Sequence, residues 1–172
     1  ITPNNPEILA SLGAVLKSSG NLKEAENKTR EAIKLKLDPK FKFNLAAIMR
    51  DQGLLNEAKN LYNETISIDP NFIEAYNNLG EVLRDQGETH LAKEFFEKAL
   101  SLNDRFSMAN YNLGILQQDS GNLNEAINFF EKSNVFDWQQ RVCYCAYKSN
   151  QKELFKKMFD DLLHYEHRSP LI

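Results

Sequence analysis

The sequence predicts an all-α fold, an α-solenoid of stacked helix–turn–helix repeats. Three observations predict it. All seven glycines fall on two tracks. Gly20, Gly53, Gly87 and Gly121 form one, at spacings of 33, 34 and 34; Gly13, Gly80 and Gly114 form the other, each seven residues ahead, and Ala46 fills the missing slot. Ala25, Ala58, Ala92 and Ala126 follow the first track by five residues, and Thr29, Tyr62, Phe96 and Phe130 follow it by nine. A period of this length marks units that each bury their apolar face against neighbours. Two helices fill such a period and leave no room for a strand.

The third unit shows the logic best. Between Gly80 and Gly87 the residues Glu-Val-Leu-Arg-Asp-Gln continue a helix. Gly87 then stands where a helix ends in the left-handed conformation. A second helix follows, with Leu91, Phe95, Phe96, Ala99 and Leu100 at helical spacing. Small residues at Gly80 and Ala92 let the two backbones come close, and Phe96 fills the space beside them. Pro39 and Pro70 punctuate the joins.

The elements then follow in order. Residues 1–5 read either as the tail of a preceding repeat, because Pro3-Asn4-Asn5 is in phase with Pro70-Asn71-Phe72, or as a segment in which Pro3 merely caps the first helix. Repeat 1 spans 6–38 and carries Thr29 in place of an aromatic. Repeat 2 spans 39–72, with Lys42 where a large aromatic stands in repeat 3. Repeat 3 spans 73–106. Repeat 4 spans 107–140, with Asn110 and Gln117 at otherwise apolar slots. Residues 141–168 break the period and read as divergent capping helices. There Leu154, Phe155, Met158, Phe159, Leu162 and Leu163 make an apolar stripe. A solenoid must close its last apolar face, which is the work expected of this pair; docking of a downstream domain is the alternative.

Tyr76, Leu79, Gly80, Leu83, Ala92, Phe96 and Ala99 resemble the signature of the tetratricopeptide repeat family. The resemblance covers about residues 6–140 and has the wording of bacterial arrays, as in Glu24-Ala25-Glu26 and Thr29-Arg30-Glu31-Ala32-Ile33. It implies a right-handed superhelix whose inner face is lined by the first helix of each unit. Two positions before the small residue come Ser11, Asn44, Asn78 and Asn112. This row resembles the asparagine ladder of the repeat superhelix in O-linked N-acetylglucosamine transferase. A carboxamide both donates and accepts, so such a row can pair with the backbone of an extended peptide. Asparagine here is also common family background. Lys17, Arg50, Arg84 and Gln118 lie six residues further on, beside the acids Asp51, Asp85 and Asp119. Either the cations select acidic peptides or the acids neutralise them. Phe43, Asn77 and Tyr111, with Glu81 and Ile115, complete a mixed polar and aromatic groove. The carboxylate clamp of chaperone-binding relatives is not matched: Ala10, Ala14, Glu74 and Asn78 stand at its positions.

Other chemistry is sparse. No phosphate-cradling glycine loop, G-x-S-x-G or H-E-x-x-H is present. His164 and His167 stand three apart near the end with Glu166 nearby, and no further ligand completes a metal site. Cys143 and Cys145 are too close to staple a fold, and on a helix they point apart. They read as small buried hydrophobes. The net charge of −3 argues against a nucleic-acid partner. No run of apolar residues is long enough to span a membrane.

The expectation is therefore a non-enzymatic, cytoplasmic protein-interaction module, without cofactor or metal, that binds a protein or peptide partner in its concave groove. The groove residues are Asn44, Asn78, Asn112, Arg50, Arg84, Lys17, Phe43, Asn77 and Tyr111. The exposed ends of the stack are surfaces for self-association. The alternative is a targeting or scaffold region, excised from a larger bacterial enzyme such as a glycosyltransferase and without activity of its own.

Overall fold

The computed structural model describes residues 5–166, and these form ten α-helices and no strand. They come in pairs: α1 (Pro6–Ser18) with α2 (Leu22–Leu35), α3 (Pro39–Asp51) with α4 (Leu55–Ile68), α5 (Ile73–Asp85) with α6 (Thr89–Leu102), α7 (Ser107–Asp119) with α8 (Leu123–Ser133), and α9 (Trp138–Lys148) with α10 (Lys152–Glu166). The chain divides into two compact units, Ile1–Phe95 and Phe96–Ile172, with the division inside α6. No helix among the described residues is long and apolar enough to cross a membrane.

In the first unit, capping fixes where the helices begin. Asn5 Oδ1 accepts from the Ile8 amide at 3.0 Å and Pro6 occupies the first turn. Asp38 does the same for Lys40 at 2.9 Å, ahead of Pro39. The turn within each pair is closed by one device. Gly20 has φ +80°, its amide donates to Lys17 O at 3.0 Å, and the Asn21 amide donates to Leu16 O at 2.9 Å. Gly53 and Gly87 repeat this with φ +79° and +80°. Glycine adopts this left-handed conformation without the steric cost a side chain would add. Past the turn the second helix returns against the first. At Gly13 an added Cβ would stand 2.3 Å from Thr29 Oγ1 and 3.1 Å from Ala25 O. Threonine therefore sits where later repeats hold an aromatic, and its hydroxyl is satisfied by Ala25 O at 2.8 Å. Each second helix packs on the next first helix, α2 on α3 and α4 on α5. The first helices also touch in series, α1 with α3 and α3 with α5, making a wall.

The second unit repeats the scheme. An added Cβ at Gly114 would stand 2.6 Å from two ring carbons of Phe130, which is fully buried. Phe130, Ala126, Val142, Cys145, Ala146 and Met158 share one core. The residues read as a cap form a fifth hairpin. Asn150 has φ +60°, its amide donates to Tyr147 O at 3.2 Å, and the Gln151 amide donates to Ala146 O at 2.9 Å. Asparagine is among the few residues with a side chain that take this conformation. The first helix of this pair, α9, spans Trp138–Lys148. Of the α10 stripe, Met158 is buried, and Leu154, Phe155 and Leu162 pack partly on the core. Phe159 and Leu163 stay exposed.

The close approach at Gly114 makes a direct prediction. Gly114→Ala drives a methyl into the Phe130 ring and should destabilise the protein by about 1–3 kcal/mol, read from the urea midpoint. Adding Phe130→Leu should recover part of the loss, because it removes the atoms that clash.

Candidate functional site

The wall of first helices in unit 1 carries most of the expected site. Phe43 on α3 stacks on Phe72, with centroids 4.9 Å apart, and tilts against Tyr62 at 5.7 Å. Burial pushes the Tyr62 phenol up, against the opposing hydrogen bond from Asn78. Asn78 Nδ2 donates to Tyr62 Oη at 3.3 Å. Asn77 Nδ2 donates to Glu81 Oε1 at 2.9 Å and to Asn78 Oδ1 at 3.3 Å. Glu81 in turn pairs with the Arg50 guanidinium. Burial opposes the Arg50 charge, but the Glu81 carboxylate outweighs it, and its pKa is raised. One polar network thus joins α3, α4 and α5.

The groove cations have acidic partners. Lys17 Nζ lies 3.0 Å from Asp51 Oδ2 on the next first helix. Arg50 reaches forward to Glu81 in the same manner. Arg84 Nη2 lies 3.5 Å from Asp85 Oδ1. Each of these three cations thus has an acid beside it. Each ion pair is partly exposed and is worth little as net stability, but it cancels the field an acidic ligand would follow.

The asparagines differ from one another. Asn44 is half-buried, and its carboxamide has no hydrogen-bond partner among the described residues. Asn78 is half-buried and engaged with Tyr62. Asn77 is 2 % exposed and Asn112 4 %. These two are covered by the protein itself, which corrects the expectation that they face an open groove. Asn110, another polar residue at a normally apolar slot, is 1 % exposed and donates to Asp104 O at 3.3 Å.

Unit 2 presents its own set. Tyr111 Oη donates to Asp137 Oδ2 at 2.7 Å, and Arg141 Nε donates to the same oxygen at 3.3 Å. The Arg141 guanidinium lies 5.5 Å from the Tyr111 centroid and 5.9 Å from that of Phe130. Burial first, and then the Asp137 carboxylate, push the Tyr111 phenol up. Gln118, Asp137, Gln140, Arg141 and Tyr144 line a shallow cavity of about 250 Å³. Sequence reasoning found Tyr111 and Gln118 but missed the residues on α9. The signal was Asn150: taken as the turn residue, it sets Cys143 on the small-residue track and Arg141 on the asparagine track.

Among the described residues no three His, Cys, Asp or Glu side chains converge on a metal-sized space. Cys143 and Cys145 are buried, and burial pushes both thiols up, away from the reactive thiolate. The His164, Glu166 and His167 cluster lies outside the described side chains.

One family model, described as tetratricopeptide repeat, matches residues 71–133; a second, described as TPR repeat, matches residues 46–87. No curated protein matches in sequence. Among solved structures, PilF of Pseudomonas aeruginosa is 20% identical over 90% of this chain and 73% of its own, with a TM-score of 0.82. MamA (41-end) of Desulfovibrio magneticus RS-1 is 17% identical over 96% and 97%, with a TM-score of 0.78. A tetratricopeptide repeat protein of Parabacteroides merdae is 22% identical over 95% and 68%, with a TM-score of 0.76. At these identities the likeness is one of fold.

The Arg50–Glu81 pair gives the test of charge compensation. Glu81→Gln should cost about 1 kcal/mol of stability at low salt. The gap to the parent protein should narrow in high salt, where the ion pair is screened. Thermal unfolding at two ionic strengths reads both.

Proposed function

This chain belongs to the tetratricopeptide-repeat family, and we propose that it works as a non-catalytic protein-interaction module that holds an extended peptide along its first helices. One observation carries the reading: the half-buried Asn44 carboxamide has no partner among the described residues, while it sits one residue from the Phe43–Phe72 stack. A carboxamide in that state offers both a donor and an acceptor to a peptide backbone. The neighbouring aromatics offer apolar surface to every second side chain of an extended strand.

In this reading Asn44 is the primary rung. Asn78 is a second rung, already oriented by Tyr62. Lys17 and Arg50 contribute hydrogen-bond donors on the wall and little net charge, because Asp51 and Glu81 hold them. Arg84 stands beside Asp85 in the same way. Tyr111 serves the unit 2 surface together with Arg141. Asn77 and Asn112 act from beneath the surface. The peptide is then recognised by backbone pairing and apolar contact more than by charge, and its affinity should depend weakly on salt.

Selection from a display library of random peptides tests this. The parent chain should enrich peptides. An Asn44→Ala/Asn78→Ala variant, shown folded by circular dichroism, should bind them at least about tenfold more weakly, as expected when hydrogen-bonding partners are left unpaired. Equal binding by the variant would remove the rungs from the site. Enrichment of nothing by either would point to a folded partner surface instead.

A further inference from the structure

The internal repeat lets α9 be compared with the first helices before it. Asn44, Asn78 and Asn112 share one track on α3, α5 and α7, and Arg141 takes that place on α9. Asp51, Asp85 and Asp119 are the last residues of the same three helices, and Lys148 takes their place. The helix α9 therefore contains two cations, Arg141 and Lys148, and no acid. The acid that Arg141 meets is Asp137, at the N-cap.

That contact uses only part of the guanidinium. Arg141 Nε donates to Asp137 Oδ2 at 3.3 Å, an oxygen that also accepts the Tyr111 hydroxyl at 2.7 Å. A guanidinium carries further N–H donors on its two terminal nitrogens. Beyond Asp137 and Tyr111, the donors of Arg141 meet no acceptor among the described residues. The Tyr111 and Phe130 rings, 5.5 and 5.9 Å from its central carbon, hold the group in place. Arg141 lines the cavity of about 250 Å³ that lies between α7 and α9, inside unit 2. Gln118 lines it from α7. This residue is half-buried; its Oε1 accepts from the Cys145 thiol at 3.9 Å, and its Nε2 has no acceptor among the described residues. Tyr144, 49 % exposed, lines the cavity from α9, and Lys148 Nζ lies 5.9 Å from the centroid of its ring. The cavity thus joins unused N–H donors on both walls to an aromatic face.

We propose that this cavity is a second binding site, for a carboxylate of a peptide, supplied by a chain terminus or by an Asp or Glu side chain. Arg141 takes the carboxylate on its planar fork, the geometry in which guanidinium and carboxylate pair best. Gln118 donates from the opposite wall, and Tyr144 packs on the residue that carries the carboxylate. Lys148 adds positive potential at the Tyr144 side. A single negative charge is the match, because Asp137 already offsets part of the Arg141 charge and a dianion such as phosphate brings more than remains. The site goes beyond the unit 1 wall, where acids hold Lys17 and Arg50, and it does not depend on Asn44.

Sodium acetate, exchanged for sodium chloride at constant ionic strength, tests the proposal on the full chain. The side-chain amide NMR signals of Gln118 and Gln140 read the binding. In the parent chain they should shift with acetate and saturate. Arg141→Gln should weaken acetate binding at least about tenfold, as loss of a charge-assisted pair does. Lys148→Gln changes an exposed residue, so the fold should survive even where Arg141→Gln does not fold, and it should weaken binding about threefold. Asn44→Ala/Asn78→Ala should bind acetate as the parent does, which separates this site from the unit 1 reading. N-acetylalanine mimics a chain terminus and N-acetylglutamic acid α-amide mimics a side chain; the tighter of the two names the source. Shifts that do not saturate overturn the proposal, as does unchanged binding in the folded cation variants. So does inorganic phosphate that binds more tightly than acetate, or a neutral N-acetylalanine amide that binds as well as the two acids.

Discussion

Everything in this molecule depends on how closely the two helices of a hairpin can approach. The approach needs a residue with little or no side chain on the first helix, Gly13, Ala46 or Gly114, and a turn residue able to take positive φ. Where the first condition is met by glycine, the space belongs to the residue nine places past the turn, Thr29 or Phe130. The pairing commits one face of each first helix to its partner and another to the preceding hairpin. What is left of the first helices in unit 1 is the wall on which Asn44, Phe43 and the ion pairs stand.

That geometry explains why the wall is nearly neutral. A cation near the end of one first helix lies beside the next first helix, so Lys17 meets Asp51 and Arg50 meets Glu81. These pairs stitch successive hairpins and use up the charge that would otherwise draw an acidic ligand. Among the described residues the half-buried Asn44 carboxamide makes no hydrogen bond on this wall, and the fully buried side-chain atom without a partner is Gln86 Oε1. Polar groups left without partners in a half-buried setting are those a ligand can satisfy at a profit in free energy.

Much of this was legible in the sequence, and the rest was hidden for physical reasons. The glycine and alanine tracks specify turns and close contacts, which is why the hairpins of α1 to α8 could be read without a structure. The last helix pair was read as a cap, and only its register with the repeat was hidden, because Asn150 does the work of glycine and the turn-to-turn spacing contracts from Gly121 to Asn150. Arg141 was missed with it. The asparagine track placed Asn44 and Asn78 on the wall. It could not reveal that Asn112 is covered, since burial depends on neighbouring side chains and not on the period. The cations were read against acids on their own helices, yet Lys17 and Arg50 find their partners one hairpin further along.

The central claim is that Asn44 is the open hydrogen-bonding group on which a peptide is read. Side-chain amide NMR signals report on it directly. On titration with a peptide that the chain binds, the Asn44 NH₂ pair should shift first and furthest. The Asn63 pair, whose Nδ2 already donates to Lys59 O at 3.0 Å on α4, should stay in place. An unmoved Asn44 signal, with shifts confined to α2 and α4, would contradict the account and move the binding surface to the second helices.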